Sequence, residues 1–449
     1  MVELRPVLRR IGFALRAERP EAAAPVGWIC FQLGLLLLAS SALLAALLLL
    51  VAVVLGCRRR PSVWRDPVNW LLLLVALLMM LGCFNAYSGW LAWVGLGNWL
   101  PFFWGFWGFQ VYLTTPAARR RAGLWLLAGT VPVVVTGLGQ MLLGWSGPFE
   151  ALGGAIIWHL DAGGKPEGRL SGLFDYANIT GTWLALAVPF ALAALLQPQR
   201  CWPRRLTALL LLAATLAALY GTDSRNAWGA AVLALPLVIG PASRLWLLPL
   251  LLLALLPVAL ASLPSIPSFL QDPARALVPE GIWERLSDSK YGGRRRMAST
   301  RLGQWTVAIG LIAERPWLGW GAAAFSVIYP LRTGLWHGHT HNLPLDLAIS
   351  HGWPVALLLV ALVLGLLIRA ARLGMAAGSP HNPEASFERA WWAAALVLVL
   401  LHATDIPMYD SRINVAGWVL LAGLRAVGSA QPQRPTGATS PVPEEGSAP

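Results

Sequence analysis

Residues 26–60 read VGWICFQLGLLLLASSALLAALLLLVAVVLGCRRR. The run up to Cys57 carries no charge, and it is longer than the ~20 residues that one membrane-crossing helix needs. Both flanks are basic: Arg9, Arg10, Arg16 and Arg19 precede it, and Arg58, Arg59, Arg60 and Arg65 follow it. Lys and Arg hold loops on the cytoplasmic side, so a single span would strand one cluster on the wrong side. Two short spans turning near Ser40–Ser41 keep both clusters together. That reading sets the direction of every later span.

From there the charges alternate. Apolar segment 68–84 leads out, and 91–113 returns to Arg119, Arg120 and Arg121. Segment 123–145 leads out, and 178–196 returns to Arg200, Arg204 and Arg205. Segments 206–220 and 227–239 enclose a tight turn and return to Arg244, and 245–262 leaves again. After a long polar stretch, 353–368 returns to Arg369 and Arg372, 391–403 leaves, and 413–424 ends at Arg425. The expected fold is an all-α integral membrane protein with about twelve transmembrane helices. A large, partly helical periplasmic loop lies between helices 9 and 10. The organisation is a cytoplasmic segment 1–25, helices 1–9 in 26–262, the loop in 263–352, helices 10–12 in 353–427, and a cytoplasmic tail in 428–449. The tail from Gln431 is rich in Pro, Gly, Ser and Glu and reads as disordered.

Composition agrees. Hydrophobic residues make up 57% and charged residues 12%, against about 25% charged in an ordinary soluble domain. The net charge of +13 is explained by cytoplasmic anchoring, and no soluble stretch offers the basic, aromatic-lined face that nucleic acid requires. Four cysteines, Cys30, Cys57, Cys83 and Cys201, form no C-x-x-C pair and predict neither disulfide nor metal site. The basic start and long first apolar run read as a retained span rather than a cleaved signal. Many of the 24 Trp residues stand at span ends, as interfacial anchors do. Lys290, Arg294, Arg295 and Arg296 break the charge rule, but their loop is roughly 90 residues, beyond the ~60 to which the rule applies.

That loop has structure of its own. Pro264, Pro267, Pro273 and Pro279 predict an irregular start. Residues 300–313, TRLGQWTVAIGLIA, predict an amphipathic helix with Trp305, Ile309 and Ile312 on one side. ERPWLGWG (314–321) ends it, WHGHTHN (336–342) follows, and 343–350 is a second candidate helix stopped by Gly352.

The residues able to do chemistry lie in the loops on the non-cytoplasmic side. GTDSRNAWG (221–229) sets Asp223 and Arg225 in a turn: either a solvated ion pair or an anion clamp, since a guanidinium offers a planar fork of donors to phosphate. GRLSGLFDYAN (168–178) supplies Arg169 and Asp175. His337, His339 and His341 alternate. Three roles stay open for them: metal ligands in an extended strand, solvated loop residues, or one His acting as general base or substrate ligand. A zinc set lacks a carboxylate or Cys nearby other than Asp346. TDIPMYDSR (404–412) adds Asp405, Tyr409, Asp410 and Arg412, which either pair among themselves or orient Arg225 or His341. Nothing matches a P-loop, a Ser-His-Asp set or a dinucleotide turn. No charge lies mid-span, which counts against a secondary transporter.

In this order the pieces resemble the O-antigen ligase / O-antigen polymerase superfamily of bacterial envelope enzymes. The resemblance runs from about Arg169 to Leu424. It rests on 169–178, on TDSRN (222–226), on Arg301 to Phe325 with its Pro-Trp-Leu-Gly-Trp-Gly turn, and on His341–Asn342 followed by Leu345 and Gly352. It implies a membrane glycosyltransferase in the inner membrane, active on the periplasmic face, inverting, and free of metal and cofactor. The implied donor is a glycan on undecaprenyl pyrophosphate, and the implied acceptor is lipid A–core or another saccharide. His341 and Arg225 carry over as catalytic residues. Arg169, Arg301, Asn342, Asp405, Arg412 and His339 carry over as substrate-binding residues. A polymerase would use the same donor chemistry. Cyanobacterial relatives labelled bicarbonate transporters are also similar, which leaves an anion transporter as an alternative.

Overall fold

The computed structural model describes residues 15–60, 63–154, 156–198, 201–263, 265–287, 297–377 and 384–428. Arg9, Arg10, Arg200, Pro264, Lys290, Arg294, Arg295, Arg296 and the tail from Gln431 lie outside the described residues. The fold is 74% helical, and seven helices among the described residues are long and apolar enough to cross a membrane.

The first run is a hairpin, as its flanking charges require. α1 (Pro25–Leu37) packs against α2 (Ala42–Cys57), and the Ser41 hydroxyl caps α2 by accepting from the Leu44 N–H at 3.3 Å. α3 (Pro67–Phe84) starts on an Asp66 cap followed by Pro67, a pairing suited to a helix N-terminus because proline has no N–H to leave unpaired. The span expected at 91–113 is not one helix. It divides into α4 (Trp90–Gly95), a 3₁₀ turn at Leu96–Asn98 and α5 (Leu100–Phe109). Gly95, Gly97 and Pro101 weaken a continuous helix. Gly95 is needed for contact, since a Cβ there would lie 2.2 Å from the Ala322 methyl.

α6 (Pro116–Leu142) leads to an antiparallel hairpin of β1 (Gly147–Ala151) and β2 (Ile156–Leu160), which departs from the all-helical expectation. The Trp158 indole fastens it to the α1–α2 turn by donating to the Ser40 carbonyl at 2.9 Å. α7 (Ala177–Leu196) is the central helix and is buried without interruption from Thr180 to Ala193. Its alanines and Gly181 allow close approach of α8 (Trp202–Gly221), α9 (Arg225–Ile239) and α16 (Ala385–His402). α10 (Arg244–Ser262), α11 (Ser268–Leu277) and α12 (Glu280–Ser287) follow α9.

The loop helix expected at 300–313 is α13 (Arg301–Glu314), capped by Thr300. Its inward face differs from the expected one: Ala308, Leu311 and Ile312 are buried, whereas Ile309 is 60% exposed. α14 (Ala324–Thr333) leads to α15 (Leu343–Arg372), which joins the second loop helix to the following span across a kink at Gly352. Gly352 has φ 83°. The carbonyls that the kink releases are taken up by the 316–321 turn: the Trp320 N–H donates to Ile349 O at 2.7 Å and the Gly321 N–H to Ser350 O at 3.0 Å. The Trp353 N–H donates back to Pro316 O at 2.8 Å. This pairing explains the Pro-Trp-Leu-Gly-Trp-Gly run as the complement of a broken helix. α17 (Ser411–Ala426) closes the described chain on an Asp410 cap.

A prediction follows at Gly352. A Cβ would sit 2.0 Å from the Trp317 carbonyl oxygen, which is backbone and cannot step aside. Gly352→Ala is expected to destabilise the protein by about 3 kcal/mol or more. Gly365→Ala, with open space around it, should be neutral or slightly stabilising. Thermal unfolding of both variants in the same detergent checks this: equal midpoints would contradict it.

Charge is segregated along the bundle. At one end a buried Arg119 grips Glu388 with two hydrogen bonds of 2.7 and 2.6 Å, Arg120 reaches Glu18 and Glu384, and Arg425 meets Asp66 at 2.9 Å. At the other end stand the starts of α7, α9, α15 and α17 and the end of α16. The candidate site is there.

Candidate functional site

The site is assembled from chain segments far apart in sequence. Asn178 lies in the first turn of the central helix. Thr222 and Arg225 come from the turn between α8 and α9, which rests on α7 because Gly181 leaves room: a Cβ there would meet Ser224, Ala227 and Thr222 within 3.2 Å. His339 and His341 lie just before α15. Asp405 lies in the turn after α16, held by the Asn342 amide, which donates to the Ala403 carbonyl at 2.9 Å.

One continuous chain of hydrogen bonds links them. Arg169 donates from Nε to the Thr222 carbonyl at 2.9 Å and from Nη2 to Asn178 Oδ1 at 2.6 Å. Asn178 donates from Nδ2 to Asp405 Oδ2 at 3.2 Å. Asp405 Oδ1 accepts the Ile406 N–H at 2.9 Å and meets His341 Nδ1 at 2.9 Å. A carboxylate only accepts, so the proton of neutral His341 sits on Nδ1 and Nε2 is left as the basic nitrogen. Burial pushes Asp405 up, but the hydrogen bond and charge of His341 outweigh it, and the group falls to about 2. Asp405 is therefore ionised at neutral pH and presents an anion to the His341 ring.

The two histidine rings stand edge to face, 4.4 Å apart. Burial, followed by the charge of His341, lowers His339 to about 4, so it stays neutral. Its Nδ1 accepts the His341 backbone N–H at 3.2 Å. That contact accompanies a left-handed backbone at His341, φ 53°, unusual for a side chain of this size. Asp223 in the facing turn has φ 50°. Non-glycine residues held in this region gather where surrounding structure imposes them, as at binding sites.

Arg169, Asp405, His339 and His341 thus come together. Arg301 opens α13 near enough for its charge to act on His339. Arg225 opens α9 on the turn that Arg169 binds. Asn342 spends its side chain on structure, capping α15 by accepting the Leu345 N–H at 3.0 Å while tying down Ala403. Arg412 is likewise committed: Nε and Nη2 bind Asp410, Nη1 donates to Leu173 O at 2.8 Å, and the guanidinium lies 3.9 Å from the centre of the Phe174 ring. His337 leaves the alternating set and packs edge-on against Tyr329. Sequence reasoning did not choose Asn178 or Thr222 as site residues. Nor did it choose the pair in which the Tyr409 hydroxyl donates to Asp346 at 2.6 Å. Asn178 and Asp405 are 227 positions apart, and no local signal joins them.

The objection that the histidines lack a nearby carboxylate does not survive folding. His339, His341 and Asp405 each bring one ligand atom within 4.8 Å of the others. Such a trio suits a divalent metal. In the structure, however, His341 Nδ1 and His339 Nδ1 are both spent on hydrogen bonds.

No curated protein matches the chain. Residues 208–360 match the family model described as O-antigen ligase, a segment that holds Arg225, Arg301, His339 and His341. Over that segment the chain is similar to the O-antigen ligase family.

Proposed function

We propose that the protein is a membrane glycosyltransferase of the ligase type. It moves a glycan from undecaprenyl pyrophosphate to a hydroxyl of lipid A–core or of another saccharide. The observation that supports this most is the hydrogen-bonded chain from Arg169 through Asn178 and Asp405 to His341, which couples a phosphate-binding guanidinium to a general base. The reaction takes place on the periplasmic face of the inner membrane, since the Arg-rich end of the bundle is the cytoplasmic one.

Arg169, Arg225 and Arg301 hold the pyrophosphate. The acceptor oxygen attacks the anomeric carbon from the face opposite the leaving group, so the configuration inverts. As the new C1–O bond forms, the old one breaks and its electron pair goes to the pyrophosphate. The arginines are already in place for that growing charge, which makes them more effective than mobile water. His341 Nε2 takes the acceptor proton, and Asp405 balances the imidazolium.

The proposed step needs no metal, since the arginines meet the leaving charge and His341 Nε2 takes the proton. Chelation with EDTA is expected to change the transfer rate less than about twofold, against the loss of several orders of magnitude typical of a removed catalytic metal. A loss restored by zinc would replace the general-base role with a metal-bound one.

A polymerase would share every step. Surface glycan from a strain lacking the protein separates the two: carrier-linked long chains without lipid A attachment mean ligase, and single repeat units mean polymerase. Normal glycan in the deletion strain would contradict both. The anion-transporter reading finds no support in the family match.

A further inference from the structure

Three polar side chains near His341 take no part in the transfer step: Trp305, Asp346 and Tyr409. Each is tied to a segment that positions the base. The left-handed backbone of His341, φ 53°, is set by the two peptide planes that flank it. In the plane before it, the Thr340 carbonyl accepts the Trp305 indole N–H at 2.9 Å, and the His341 N–H donates to His339 Nδ1 at 3.2 Å. In the plane after it, the Asn342 N–H donates to Thr340 Oγ1 at 3.3 Å. Thr340 is fully buried, and a buried carbonyl needs a partner. Trp305 supplies it from α13, where it stands one helical turn after Arg301, so one face of that helix carries both the indole and the guanidinium. Tyr409 and Asp346 form a second tie. Asp346 is in the first turn of α15, and Tyr409 lies in the turn that carries Asp405. The Tyr409 hydroxyl donates to the buried Asp346 carboxylate at 2.6 Å, alongside the 2.9 Å contact between Asp405 and His341. That carboxylate also takes the Thr340 backbone N–H.

We propose that Trp305 is a positioning residue for the general base, supported by the Tyr409–Asp346 bond: together they hold the Thr340–His341 peptide so that Nδ1 stays on Asp405 and Nε2 is left to take the acceptor proton. The assignment rests on the general-base reading of His341. A residue of this size keeps a left-handed backbone only while its surroundings impose it. Without the indole, the Thr340 carbonyl is free to turn and φ of His341 can return to the ordinary negative range. That rotation swings the imidazole away from Asp405, and a misplacement on the order of 1 Å is enough to slow a transfer step.

The test is a double-mutant cycle read as kcat and as KM for the donor. Trp305→Phe keeps a ring and removes the N–H, and Tyr409→Phe keeps the ring and removes the hydroxyl. Trp305→Phe is expected to lower kcat roughly ten- to a hundredfold with KM changed less than about twofold, and Tyr409→Phe to lower kcat by about tenfold or less. Placed in the His341→Ala background, neither should reduce the residual rate further, because the group each positions is gone. A residue that only holds α13 or the 404–412 turn in place would cost the same factor in both backgrounds, and that result would overturn the assignment. Unchanged kcat in both single variants would overturn it too. Should Trp305→Phe not accumulate in the membrane, the Tyr409→Phe cycle carries the same decision. Wild-type turnover by His341→Ala would instead remove the general base itself, and this assignment with it.

Discussion

His341→Ala is expected to lower kcat for glycan transfer by roughly 10²–10⁴-fold, the usual contribution of a positioned acid–base group. KM for the donor should change little, because the pyrophosphate is held by arginines and not by the imidazole. Asp405→Asn should produce a loss of the same order, since an amide can present an N–H to Nδ1 and favour the wrong tautomer. Asp405 acts through His341, so the double variant should be little worse than either single one. Independent, multiplying losses would mean that the 2.9 Å contact between them is not the working one. His339→Ala should cost less, because His339 supports the His341 backbone and stays neutral.

Arg225→Ala is the second large effect. Removing one preorganised cation from a developing pyrophosphate charge is expected to cost about 10²–10³-fold in kcat/KM. Arg169→Ala should match it and also disturb the base, because Arg169 holds the Asn178 amide that holds Asp405. The Lys variant discriminates. Arg169 uses two nitrogens on two different acceptors, and one ammonium cannot reproduce that fork. Arg169→Lys should therefore recover little activity, although it restores the charge. Full recovery would mean that charge alone matters and that the chain from Arg169 to His341 is incidental.

Much of the bundle was legible because charge and hydropathy act locally. Arg58–Arg60 and Arg119–Arg121 mark loops between apolar runs, and the turn at Ser40–Ser41 followed from the first of them. The helix at 301–314 was legible through its apolar spacing, and the structure adds its Thr300 cap. Its buried face was not, because the side turned inward depends on what lies beneath, and Ile309 faces out. The break at Leu96–Asn98 was hidden in a run of Trp and Phe as apolar as any span. The kink at Gly352 looked like a helix end, because the 316–321 turn that satisfies its carbonyls lies elsewhere in the sequence.

The site divides along the same line. His341, Arg169, Arg225 and Asp405 were all named as candidates from the sequence, and the hydrogen bonds place Arg169, Asp405 and His341 on one chain. The bridge through Asn178 was not named, because it depends on which helix ends meet in space. The same blindness led the sequence to deny the histidines a carboxylate, which Asp405 supplies from 64 residues away.

The central claim is that guanidinium groups hold a departing pyrophosphate while His341 takes the acceptor's proton. Its most direct measurement uses the purified protein in lipid nanodiscs, with a glycan on undecaprenyl pyrophosphate, a saccharide acceptor and EDTA. The predicted result is one undecaprenyl pyrophosphate released for each glycan transferred, with the anomeric configuration inverted, and loss of both products in His341→Ala. Retained configuration, or full turnover by His341→Ala, would contradict it.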